Sequence, residues 1–124
     1  MNKSLDRDSI LATQPGRELD ALVEQYVFGN KVRWVQDLIT DQYPVSDQEG
    51  YIVEYYSTDI SAAWEVVEES LKWGGLDLNC HGSKSGTKWF VAATYNKQGR
   101  CVSVTSHTAP EAICKAALLA VLDE

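Results

Sequence analysis

The sequence predicts a mixed α+β domain in which helices pack on an antiparallel β-meander. Three observations carry that prediction. Apolar residues recur with helical period over residues 19–27 and again over 60–71. Three strand-like segments follow one another between Leu76 and Ser106, joined by short turns. The chain then ends in an almost wholly apolar helix with its own start signal. At 124 residues, 44% hydrophobic and 23% charged, it holds one domain, spanning 1–124, and needs no disulfide or metal to bury a core.

Residues 1–15 are mostly polar, with a short apolar patch at Ile10 and Leu11, and 1–14 are expected to be a loosely ordered lead-in. A turn of helix capped by Asp8 or Ser9 is the most they predict. Pro15-Gly16 then breaks the chain. Leu19, Leu22, Val23, Tyr26 and Val27 define one helix face, with Glu18, Asp20, Glu24 and Gln25 expected to face away. Gly29-Asn30 ends the helix, because both residues tolerate positive φ. Val32–Val35 reads as a short strand, with Val32 and Trp34 on one side of the pleat. Residues 40–50 are polar and read as a loop. Tyr51–Tyr56 has the composition of a strand or of a docked extended segment.

Asp59–Trp73 is the strongest helix. Ile60, Ala63, Trp64, Val67 and Leu71 form its expected core stripe, and Glu65, Glu68, Glu69 and Lys72 its outer face. Ser57, Thr58 and Asp59 offer capping oxygens, and Gly74-Gly75 closes it. Leu76–Cys80, Thr87–Tyr95 and Cys101–Ser106 make the meander, with Asn96-Lys97-Gln98-Gly99 as a type I turn and Gly bulge. Thr108 and Glu111 have capping-box spacing, and Pro110 sits in the first turn of the last helix. That helix is apolar nearly all round, so it is either buried on two sides or joins subunits.

Composition excludes some functions. Eleven Lys and Arg against 18 Asp and Glu give a net charge of −7, which repels polymeric nucleic acid. The sequence contains no run of 18 apolar residues, so no membrane-spanning helix is expected. Lys3 and Arg7 are followed by no apolar stretch, so no secretory signal is expected. Three cysteines, none in C-x-x-C spacing, fit a reducing compartment.

Three stretches taken together resemble a known family: Pro15–Val23 (PGRELDALV), Tyr56–Glu68 (YSTDISAAWEVVE) and Ala109–Leu122 (APEAICKAALLAVL). Over most of residues 14–124, and in the same order, the chain resembles the phage ABA sandwich domain family. The resemblance implies a three-layer α/β/α sandwich and a phage or prophage origin, hence the host bacterial cytoplasm. It implies no reaction and supplies no catalytic residues.

Charge distribution is the other functional signal. Leu78–Pro110 contains no Asp or Glu but holds Lys84, Lys88, Lys97 and Arg100, for a net +4 against −11 in the rest. Trp89, Phe90, Tyr95 and both histidines, His81 and His107, lie in the same stretch. Cations beside aromatic faces suit an anionic ligand with a flat base. The candidate ligand-binding set is therefore Lys84, Lys88, Trp89, Phe90, Tyr95, Lys97, Arg100 and His107. Strands are poor in acids in any case, and lysines at turns also serve to blunt sheet edges. His81–Lys88 fails as a Walker loop, since its glycines are one residue too close, Thr precedes Lys, and a strand follows. Cys80, Cys101, Cys114 and the histidines lack metal-ligand spacing. The glutamates of the 59–73 helix read as a solvated face, and Trp34, Trp64, Trp73 and Trp89 as core by default.

The expected function is that of a non-catalytic phage accessory protein, without metal or cofactor, that sequesters a small anionic nucleotide-like ligand. An analogy is the sponge that removes an immune signalling nucleotide. Homo-oligomerisation through the C-terminal helix is expected, and neither nucleic-acid polymer nor membrane is an expected partner. The alternative is a protein-interaction module that inhibits a host protein through its acidic helices.

Overall fold

The computed structural model describes residues 5–36, 42–47 and 50–122. The elements run α1 (Arg7–Ala12), α2 (Arg17–Leu22) continuing into a π-helical turn (Val23–Val27), β1 (Val32–Gln36), β2 (Gln42–Ser46), α3 (Ile60–Glu69) ending in a 3-10 turn (Ser70–Trp73), β3 (Leu76–Gly82), β4 (Lys88–Tyr95), β5 (Cys101–Ser106) and α4 (Ala109–Leu122).

Strands β3, β4 and β5 pair antiparallel in that order, with Leu78, Ala92 and Val104 in one row. Alternation turns Leu76, Leu78, Phe90, Ala92, Val102 and Val104 toward the core. Asp77, Asn79, His81, Trp89, Val91 and Ala93 are left on the opposite face. Helix α4 lies on the core face, and Ala112–Ala120 are all buried. Its alanines let the sheet approach closely, and Ile113 and Leu118 are wholly buried, each stabilising by roughly 1.5–3 kcal/mol. The far side of α4 is covered by α1, the π-helical turn and α3. The succession is therefore meander, α4, then the remaining helices. The mixed α+β class with an antiparallel meander packed on the C-terminal helix is what the sequence predicts. Two-sided burial uses up the apolar surround of α4 inside the chain, so the expected subunit contact through it has no free face.

Four expectations are corrected. Residues 5–14 are not a loose lead-in: Asp6 and Ser9 close a capping box on α1, and Ile10 is wholly buried. Within residues 40–50 the chain forms β2, which pairs with β1 from Val32↔Ser46 to Gln36↔Gln42; residues 40, 41, 48 and 49 of that expected loop lie outside the described residues. Pro44 disguises the strand, because it is a residue confined to sheet edges. The segment after it is docked rather than laddered, with one bridge, Val45↔Ile52.

The acids of α2 do not all face water. Asp20 is buried beside Leu19 on the α-helical part, and the π-helical turn that follows, with its changed angular phase, carries buried Glu24 together with Val23 and Val27. On α3 the stripe is rotated. Ala62, Ala63, Val66 and Ser70 are buried, while Ile60, Trp64 and Leu71 are exposed. Its start is as expected, with the Asp59 carboxylate accepting from the Ser61 N–H at 2.9 Å.

Candidate functional site

The meander does not gather the predicted cations. Lys88 opens β4 opposite Gly82, and Lys84 sits in the loop before it. Lys97 and Arg100 lie in the turn after β4. The eight-residue strand β4, which begins at Lys88, puts about 24 Å between its ends at ~3.4 Å per residue. No small ligand spans both ends. Phe90 faces the core beside Leu78 and Ala92 and cannot serve as a stacking shelf. Tyr95 stands at the Lys97 end, 3.5 Å from where a Cβ on Gly74 would lie.

At the other end the His81 and Trp89 rings stack across β3 and β4, with centroids 5.7 Å apart and an interplanar angle of 14°. Trp89 and His107 also line one cleft of about 330 Å³ between the end of β5 and α4. The Lys115 ammonium in that cleft is already held, 2.7 Å from Glu111 Oε2 and 2.9 Å from the Leu11 carbonyl. Of the predicted set, the structure thus brings together Trp89 and His107, with Lys84 and Lys88 at the same end of the sheet.

Sequence reasoning missed a buried polar clamp. Asp20, with no exposed surface, accepts from Arg17 Nη1 at 2.7 Å, from the Ser57 N–H at 2.7 Å and from Ser57 Oγ at 2.6 Å. Arg17 also donates to the Val53 carbonyl and lies 3.9 Å over the Tyr55 ring. One turn on, Glu24 accepts from the Tyr56 hydroxyl at 2.7 Å and from Asn30 Nδ2 at 2.6 Å. Burial first, and then the Glu24 carboxylate, hold the Tyr56 phenol far above its ordinary range. These groups fasten residues 53–57 to α2 and are already committed to one another. Their local signals are Arg17 three residues before Asp20 and Asn30 six residues after Glu24; the other partners lie 32 to 37 residues away.

The third feature is the outer face of α3. Ile60, Trp64 and Leu71 are 49%, 53% and 74% exposed, and half-buried Val67 completes the row. Helical spacing puts Ser61, Glu65 and Glu68 along its solvent flank. Partial burial, followed by Glu54, Glu68 and Glu24, raises the Glu65 carboxyl above its ordinary range. That shift marks a concentration of negative charge beside exposed apolar groups.

Cys80 and Cys101 are exposed free thiols, and burial among negative groups keeps the Cys114 thiol protonated. Among the described residues no three His, Cys, Asp or Glu side chains are grouped to hold a metal ion. No helix of the described residues is long and apolar enough to cross a membrane. A cleft of about 690 Å³ runs between α1 and α2 past Leu5, Pro15 and Tyr26, and the Arg17 guanidinium at its wall is occupied in the clamp.

No curated protein and no solved structure matches the chain. The model of one family does, over residues 21–118, a span that takes in the π-helical turn, α3, the meander and most of α4. The chain belongs to the phage ABA sandwich domain family.

Proposed function

We propose that this phage-family protein acts without catalysis, as a protein-interaction module in the host cytoplasm, and that its docking face is α3. One observation carries the reading: Ile60 and Trp64 stand exposed on α3, whose other side is packed, and Leu71 stands exposed in the 3-10 turn that continues it. Large apolar groups aligned on a surface, rimmed by charge, are the ordinary footprint of a protein contact. A photo-crosslinking residue at position 64, with Gln98 as the control position, tests it in cells. The partner crosslinked at 64, once purified, is expected to bind the wild-type chain and not Trp64→Glu/Leu71→Glu. A crosslinked partner that binds both equally refutes the reading.

A second reading keeps support at one end of the meander. The His81–Trp89 stack beside Lys84 and Lys88 suits a flat base carrying phosphate. Lys97, Arg100, Tyr95 and Phe90 play no part in this narrower site. A cyclic dinucleotide that binds there is expected to raise Tm, to weaken with salt, and to lose its effect in Lys84→Ala/Lys88→Ala. An unchanged Tm across nucleotide classes removes the reading.

A further inference from the structure

We propose that the partner docking on α3 is an amphipathic helix whose flanks carry lysine and arginine. This inference rests on the protein-interaction reading and names the chemistry of the partner. Ile60, Trp64, Val67 and Leu71 are spaced four, three and four residues apart, the alternation of a coiled-coil seam. From Ile60 to Leu71 the seam runs about 16 Å at ~1.5 Å per residue, three turns of a facing helix. A strand or a flat sheet would meet such a row at single points, whereas a helix follows it along its length.

Charge selects the flanks. Between Trp34 and Leu71 the chain has nine acidic residues and no Lys or Arg, more negative charge than the whole molecule carries net. Asp59, Glu65, Glu68 and Glu69 belong to α3 or its cap, and Glu54 acts on Glu65 from the preceding segment. Lys72, in the 3-10 turn, is paired with Glu69 at 2.7 Å, and Arg17, beside Glu54, is held by Asp20. A second copy of α3 would set these carboxylates against themselves, so self-pairing along the seam is opposed. A helix with cations along the solvent side of an apolar stripe meets the leucine–tryptophan row and the glutamates together.

The test uses the full chain and two synthetic helical peptides with the same leucine seam, one flanked by lysines and one by glutamates. A third peptide keeps the lysines and replaces the leucines with serine. Binding is followed at the four indole N–H signals in ¹⁵N spectra, with the Trp64 signal assigned from Trp64→Phe. The lysine peptide is expected to saturate and move the Trp64 signal. The other two are expected to bind at least about tenfold more weakly, and Trp64→Ala or Leu71→Ala to weaken the lysine peptide by a similar factor. In 1 M salt, where the screening length is about 3 Å, the preference for lysine over glutamate flanks should largely vanish. Equal binding of lysine and glutamate peptides overturns the proposal, as does binding that ignores Trp64→Ala, or a wild-type dimer that Trp64→Ala dissociates. If no peptide binds while the position-64 crosslink still yields a seam-dependent partner, the helix chemistry is wrong and the protein-binding reading stands.

Discussion

Replacing Asp20 by alanine removes the centre of the buried clamp. The carboxylate takes three hydrogen bonds, from Arg17, the Ser57 N–H and Ser57 Oγ, and has no exposed surface. Truncation leaves the buried Ser57 N–H without an acceptor, leaves the Ser57 hydroxyl only the Gly16 carbonyl at 3.1 Å, and strips Arg17 of its counter-charge. Breaking a buried charged pair by removing one partner costs about 3–5 kcal/mol. Unfolding entropy of about 2.1 cal/mol/K per residue over 124 residues is roughly 0.26 kcal/mol/K, so a loss of about 4 kcal/mol lowers Tm by roughly 15 °C. Thermal and urea unfolding of Asp20→Ala, Ser57→Ala and the double variant measure it. The double variant should be less destabilised than the sum of the singles by about 1 kcal/mol or more, because both remove the same bonds. A Tm drop below about 3 °C for Asp20→Ala, or strict additivity, would refute the assignment of the clamp as the fastening of residues 53–57.

Three other outcomes follow from the same structure. Tyr56→Phe deprives the buried Glu24 of its phenolic donor and should cost about 1–3 kcal/mol in urea unfolding. Because the Tyr56 phenol is raised in the folded state, its contribution is complete below about pH 10 and declines as pH rises further; the wild type should lose stability there more steeply than Tyr56→Phe. Lys115→Ala frees the tie from α4 to the Leu11 carbonyl and leaves Glu111 unpaired, so amide exchange over Arg7–Ala12 should accelerate at least about tenfold, read by hydrogen-exchange mass spectrometry. On α3, Val66→Ala should cost about 2 kcal/mol, while Trp64→Ser should stay within about 0.5 kcal/mol, reversing what the size of the two side chains suggests.

Much of the fold was legible in the residues because its signals are local. The period of Ala109–Leu122, the Asn96–Gly99 turn and the cap at Asp59 each depend on neighbours within a few positions. Asn96 Oδ1 accepts from the Gln98 and Arg100 N–H groups, the kind of bond a turn sequence announces by itself. Strand β2 was hidden by Pro44 and polar neighbours, since its pairing is specified by β1 rather than by its own composition. The candidate site was less legible. Acid depletion between Leu78 and Pro110 is a property of the chain, but strand direction sends Lys84 and Lys88 to one end and Lys97 and Arg100 to the other.

The sequence by itself determined the order and type of the main elements, the bipolar distribution of charge and the family, because propensity, capping and hydrophobic period act over one or two turns. Only the tertiary structure decided which faces are buried. The burial of Asp20 on α2 and of Glu24 on the π-helical turn depends on partners from residues 57 and 56, and the phase of α3 depends on how it meets α4. A helix wheel shows that Ile60, Trp64 and Leu71 share a side. Whether that side meets the core or water is set by packing between elements far apart in the chain, and here it meets water.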